Sequence, residues 1–351
     1  MADRDAGQLM RVVEYRPTRE EYGWTFGGLA PVRRIQPGTA LRLWTDDAFG
    51  GRVQSSTDRL QVVLPDLLTN PQTGPFYVQG ARPGDTLAIH IAALEPARDY
   101  GASCAFPGFG GLTSTAQSPA LQPPLGERVW IYDVDSNART VRYQALDSTF
   151  TVDLPLAPML GTVGVAPAGG EVRSSLVPEY FGGNMDCPMM AAGATVYLGV
   201  NVDGALFSVG DGHYRQGEGE LCGSAVEGAL WVDLIVDVVH GVPTHSPRIE
   251  TDSDLIGIGS GRPLDDAWRI AQHNLVHWLA GVTELSVMDA YQLLSQTARS
   301  PIANVVDPNF TATSVVDKAF LPQISAYGGL HARLTEAART WDRGSAHSVI
   351  V

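Results

Sequence analysis

Residues 181 to 227 read FGGNMDCPMMAAGATVYLGVNVDGALFSVGDGHYRQGEGELCGSAVE. This run carries Asp186, Asp203, Asp211, His213, Glu218, Glu220 and Glu227, separated by glycines, with Arg215 as its only fixed positive charge. Carboxylate oxygens and an imidazole nitrogen, gathered by tight glycine turns, suit a divalent cation. The plainer reading is that Gly-Asp-Gly is an ordinary turn and Gly-Glu-Gly-Glu a solvated loop. Their spacing matches neither the standard zinc patterns nor an EF-hand.

Asp186 and the Asp211/His213 pair are the leading ligand candidates. In an extended segment residues 211 and 213 project to one side, so both could face one cation. The alternatives are a turn cap for Asp186 and a buried imidazole satisfied by a carbonyl for His213. Glu218 and Glu220 share a parity. Glu220 is the expected base or bridging carboxylate, Glu218 its runner-up, and Glu227 a further site carboxylate; a salt bridge is the competing role for each. His90 lies in a candidate strand but on the opposite parity from Leu87, Ile89 and Ile91. It is a ligand if that face lines a cleft and a surface histidine if it meets water. Asp47 and Asn184 are weaker candidates, since both types are common in turns.

These residue types can meet the needs of amide hydrolysis, the reaction implied by the resemblance described below. An amide carbonyl is a poor electrophile and its amine a poor leaving group. A bound cation polarises the carbonyl and makes hydroxide available near neutral pH. A carboxylate can take a proton from water and deliver it to nitrogen. Two rivals stand beside this. Cys222 could be a nucleophile, although its acidic neighbours raise a thiol pKa, and Cys187 is weaker still. The chain could also be a non-catalytic metal- or amide-binding protein. His240 and His245 flank a turn and read as exposed. His273 and His277 are spaced four apart without an adjacent Glu and read as structural.

Positioning these groups requires strands. Pro37-Gly38 precedes Leu41, Leu43 and Thr45; Pro83-Gly84 precedes Leu87, Ile89 and Ile91; Ala192-Gly193 precedes Val196, Leu198 and Val200. A turn followed by period-two apolar spacing is a strand entry. Residues 101–125 are Gly-, Pro- and Ser-rich and read as a loop, either a lid over the site or a surface excursion. After residue 260 the period changes. Pro263, with Asp265 and Asp266, opens a helix carrying Leu264, Trp268, Ala271, Leu275 and Trp278, ending at Gly281. Ser286 and Asp289 suggest the cap of a second helix through Ala298, and a short helical stretch spans 330–341. The fold expected is mainly β, a sandwich or multi-sheet core with a C-terminal helical pair, α+β overall. It forms one domain over 11–351, β-rich over 11–260 and helical over 261–300 with a closing segment, behind a loose tail at 1–10.

The 351 residues carry a formal charge of −14, which disfavours nucleic acid and anionic membrane as partners. No apolar run approaches a membrane span, and the polar N-terminus lacks a secretory core. Three cysteines are too few and too odd in number for a disulfide framework, which fits a cytoplasmic protein. The expected partners are a small-molecule amide and a second copy of the chain in a homo-oligomer, a dimer.

The motif GGNMD followed by GALFSVGDGHYRQGEGELCGSAVE resembles the signature of the acetamidase/formamidase family. NPQTGPFYVQGARPGDTLAIHI (70–91), TDDAFGG (45–51), GSGRPLDDAWRIAQHNLVHWL (259–279) and AYQLLSQTARSPIANVVDPN (290–309) match as well, so the resemblance runs over about 20–322. It implies metal-dependent hydrolysis of short linear amides to carboxylate and ammonia, with zinc, and calcium as a possible second ion. Asp186, Asp211, His213, Glu218 and Glu220 lie inside the matching motif. The expected catalytic set is Glu220, Glu218 and His213; the metal set is His90, Asp186, Asp211, His213 and Glu220. Tyr214 and Arg215 stand where smaller residues follow the GDGH element in the family. With Asn184 they are the candidate substrate contacts, and they suggest an amide larger than formamide or acetamide, or an anionic one.

Overall fold

The computed structural model describes residues 11–66, 68–113, 121, 125–322 and 324–341. The expected tail lies outside them, as do 114–120 and 122–124 of the expected lid. Two large sheets and a helical layer make up the described chain. The nine-stranded sheet runs in the order Val12–Tyr15, Thr39–Thr45, Leu230–Val239, Thr86–Pro96, Thr195–Gly199, Arg248–Glu250, Asp254–Gly261, Phe310–Asp317, Ile302–Asn304. All three turn-strand entries read from the sequence are members of it. The ten-stranded sheet has Phe207–Arg215 near its centre, flanked by Met159–Gly164 on one edge and by Gln72–Val78 and Val226–Glu227 on the other.

Side-chain parity explains the layering. Leu41, Leu43, Leu87, Ile89, Ile91, Val196 and Leu198 point from the nine-stranded sheet into one core with Phe76, Leu160, Val163, Phe207 and Val209 of the other sheet. The opposite parity (Ala40, Ala88, Tyr197, Leu255, Val316) packs against Leu275, Leu279, Leu294, Leu330 and Leu334 of the helices. Thr39–Thr45, Leu230–Val239, Thr86–Pro96 and Thr195–Gly199 therefore carry apolar residues on both faces, as strands covered on both sides do.

The helices span Leu264–Val282, Val287–Thr297 and Leu330–Thr340. Asp265 and Asp266 occupy the first turn of the long helix, and the Ser286 hydroxyl caps the second by accepting from the Asp289 N–H. Two expectations shift. Trp268 is exposed while Ala267, Ala271, Asn274, Leu275 and Trp278 form the buried face, and the helix runs one residue beyond Gly281, to Val282. The reason lies in the strand beneath. A Cβ on Gly259 would come within 2.3 Å of the Ala267 carbonyl and the Ala271 nitrogen, so two glycine positions, 257 and 259, let the helix backbone settle onto the sheet.

Two further corrections concern order. Residues 101–105 are not loop: Tyr100–Ala105 is a strand paired with Arg128–Asp135 and Val226–Glu227. The helices also do not follow a finished β-domain, because Ile302–Asn304 and Phe310–Asp317 return afterwards to the nine-stranded sheet.

Candidate active site and metal centre

The Phe207–Arg215 strand delivers Asp211 and His213 to one side, as their spacing implies. The His213 Nε2 atom lies 3.3 Å from Asp211 Oδ1. Glu227 sits directly across the ladder from His213, and its Oε2 is 3.2 Å from the same nitrogen. On the other edge, Met159–Gly164 pairs with Gly182–Asn184, and the Asp186 N–H donates to the Gly161 carbonyl. Glycine is required at 161: a Cβ there would be 2.5 Å from Asp211 Oδ2, 2.6 Å from Asp186 Oδ1 and 2.9 Å from His213 Cε1. The missing side chain leaves a space that two carboxylates and the imidazole share.

Glu220 comes from the turn after this strand. The Gly219 N–H donates to the Ile302 carbonyl, which pins the turn to the last strand of the other sheet. Asp186, His213 and Glu220 offer ligand atoms all within 4.8 Å of one another, and Asp211, His213 and Glu227 do the same. Asp307 joins from the loop after Ile302–Asn304. Asn184 bridges it to Asp186, its Nδ2 donating to Asp186 Oδ2 at 3.1 Å and to Asp307 Oδ2 at 2.9 Å. The Asn184 Oδ1 in turn accepts from Asn70 Nδ2 and from the Thr162 hydroxyl.

Five carboxylates and one imidazole are thus buried together. Burial raises the Asp186 carboxyl well above its ordinary range, and Glu220, Asp307 and Asp211 add to the shift. Glu220 is raised in the same way, by burial first, with His213 opposing and Glu227 and Asp307 reinforcing. Burial pushes Glu227 and Asp307 each up to about 7. For His213, burial works against the charged ring, but Glu227 and Asp211 outweigh it and hold the imidazole well above its ordinary value. Asp186 Oδ1, Asp211 Oδ1 and Glu227 Oε2 are buried without a hydrogen-bond partner. Buried anionic oxygens are normally paired or bound to a cation. The donor set, oxygens with one imidazole nitrogen, fits zinc, and its carboxylate-rich part fits a harder ion such as calcium.

Strain marks the same place. Asp186, Asp211 and Glu220 adopt φ of +43°, +59° and +47°, a region non-glycine residues rarely occupy.

Several expected site residues lie elsewhere. His90 is neither a ligand nor a surface histidine. It faces the helical layer, with Nδ1 2.9 Å from the Thr195 hydroxyl, which in turn meets His331 Nδ1 at 2.8 Å. Its parity was legible, but the helix covering that face comes from residues 330–340. Glu218 is exposed, because the turn, rather than an extended run, separates it from buried Glu220. Tyr214 points to the opposite side of the strand from His213. Its buried hydroxyl donates to the Ala229 carbonyl and accepts from the Arg98 N–H. Arg215 donates to the Pro155 carbonyl at the surface. Both are thus bonded to backbone groups outside the cluster. Asn184 is in the cluster, where it holds two carboxylates.

Asp47 is a turn residue, accepting from the Phe49 and Gly51 N–H groups and paired with Arg98. Cys222 is exposed, and partial burial raises its thiol, against thiolate formation; buried Cys187 is pushed up to about 12. His240 is exposed beside Asp85, and His273 and His277 lie against each other, their rings tilted by 50°, on the solvent side of the long helix. Asp307, Asn304, Asn70, Thr162, Gly161 and Gln216 are site residues that pattern reading passed over. Asn304 and Asp307 do lie inside the ANVVDPN segment, and that was their only signal.

The sequence matches the Acetamidase/Formamidase family over residues 24–176 and 168–320. An acetamidase from Yersinia enterocolitica has a crystal structure similar to this one, at a TM-score of 0.84 and 36% identity, covering 91% of this chain and 95% of that one. Acetamidase from Mycolicibacterium smegmatis is 26% identical over 59% of this chain, and formamidase from Methylophilus methylotrophus 24% identical over 60%. The matches span 63% and 62% of those two curated relatives. Fold, motif and alignment agree: the chain belongs to the acetamidase/formamidase family.

Proposed function

We propose that this protein hydrolyses a short linear amide, of the formamide or acetamide kind, to carboxylate and ammonia at a divalent-metal centre. Asp186, Asp211, His213, Glu220 and Glu227 would hold the cation, zinc, with calcium as a possible second ion in the carboxylate-rich part. The observation that carries this reading is the set of three buried carboxylate oxygens without hydrogen-bond partners, two of them 3.3 and 3.2 Å from His213 Nε2 and the third beside Gly161. A bound divalent cation supplies Lewis acidity towards an amide carbonyl and makes hydroxide accessible near neutral pH.

The chain's own residues do the rest. Asn184 and Asn304 orient Asp186 and Asp307 through their amide groups. The sheet walls around the cluster exclude bulk water. Glu220 is the carboxylate assigned to accept a proton from water and release it to the departing nitrogen. Water and amide are thereby converted to carboxylate and ammonia with no other reactant. Tyr214 and Arg215 bond to backbone outside the cluster, and the amide proposed is therefore a short neutral one.

Purified protein should release ammonia from formamide or acetamide, lose that activity with a chelator, and regain it with zinc. Chelator-resistant activity abolished by a thiol reagent would replace this mechanism with a cysteine one. Tight metal binding without ammonia release from any short amide would leave a metal-binding protein.

A further inference from the structure

Gln216 belongs to no part of the metal or proton-transfer assignments above, yet it touches three parts of the site. Its Oε1 is 2.9 Å from His213 Nδ1. Its Nε2 donates to the Asp186 carbonyl at 2.7 Å and to the Ala303 carbonyl at 3.1 Å. Two carbonyls can only accept, so they fix which end of the amide is nitrogen and which is oxygen. The oxygen is then turned to His213, and the ring nitrogen facing it must be the donor, Nδ1–H.

The consequence falls on the far side of the ring. With Nδ1–H committed to Gln216, a cation that takes the place of the proton on Nε2 meets a lone pair there. That atom is the one lying 3.3 Å from Asp211 Oδ1 and 3.2 Å from Glu227 Oε2. A cation in that position would be met by one ring nitrogen and two carboxylate oxygens. The geometry points to Gln216 as the positioning residue that sets the His213 tautomer and so commits Nε2 to ligation. Its two donor bonds also tie this ring to the backbone of a second ligand, Asp186, and to the Ile302–Asn304 strand. The inference rests on the metal reading above but concerns a different residue and can fail separately.

Zinc affinity of the full-length protein, measured by competition with a chelator of known affinity, tests it. Gln216→Met removes the acceptor and should weaken zinc binding about 10- to 100-fold, the usual effect of losing a hydrogen-bond partner of a ligating histidine. Gln216→Glu keeps an acceptor for Nδ1–H and should stay closer to wild type than Gln216→Met, even though its donors are gone. Equal weakening in both variants would mean that the donor bonds, not the tautomer, matter, and would overturn the assignment. So would unchanged affinity in Gln216→Met. If thermal melting shows Gln216→Met to be unfolded, Gln216→Glu decides alone: retained zinc affinity supports the role and lost affinity rejects it. Wild-type protein that binds no zinc would remove the metal reading itself, and this role with it.

Discussion

His213 shows how far a single residue's role can be read from its neighbours in sequence. The two-residue spacing from Asp211 placed both on one side of a strand, and this held because strand parity is a local property. Glu227 stands across from His213 only through the pairing of two strands, which no local pattern encodes. Asp307 and Asn304 are further out of reach, arriving about a hundred residues later through a different sheet. Gly161 illustrates the limit best, since an absent side chain leaves no mark in a motif. Gly161→Ala should leave the fold intact and cut amide turnover by about 100-fold, because displacing ligating groups by even an ångström costs that order of rate. Steady-state kinetics beside a thermal melt checks this. Unaltered turnover would mean that the cradle is not where the chemistry occurs.

Elements were more legible than their neighbours. The three turn-strand entries became strands of one sheet, and both C-terminal helices start where their first-turn acids and cap indicated. The Tyr100–Ala105 strand was hidden by small residues, GASCA, which carry little strand propensity of their own. It exists because Arg128–Asp135 and Val226–Glu227 supply partners on either side. The face of the long helix was misjudged at Trp268 because the contact is made by backbone settling over Gly257 and Gly259, not by large side chains. Gly259→Ala should therefore destabilise the protein by about 1–3 kcal/mol, the usual result of overpacking. Urea unfolding measures this. A shift of the midpoint within error would show that the helix can ride outward freely.

At the scale of the molecule, the acidic cluster links metal, pH and stability. Glu227 and Asp307 have pKa values of about 7 in the folded protein, above their ordinary 4.5 and 3.8. Without a cation the folded state binds more protons than the unfolded state between those limits. Stability from these groups is therefore present at acid pH and lost as pH rises through about 7. A cation bound there, as proposed, would replace the protons. The rise in melting temperature on adding zinc to chelator-treated protein should be small near pH 5 and larger near pH 8. A zinc effect independent of pH would argue against these carboxylates as the binding groups. Among the described residues no helix is long and apolar enough to cross a membrane.

The bond from the Gly219 amide to the Ile302 carbonyl joins the two sheets at the cluster. Because Ile302–Asn304 enters its sheet beside Phe310–Asp317, a nascent polypeptide halted before residue 302 would possess Asp186, Asp211, His213, Glu220 and Glu227 but lack the Ile302 and Ala303 carbonyls that hold the Gly219 end of the turn carrying Glu220. Competence would then come late in synthesis, and the cell would be spared a half-built cation trap while the ribosome is still at work.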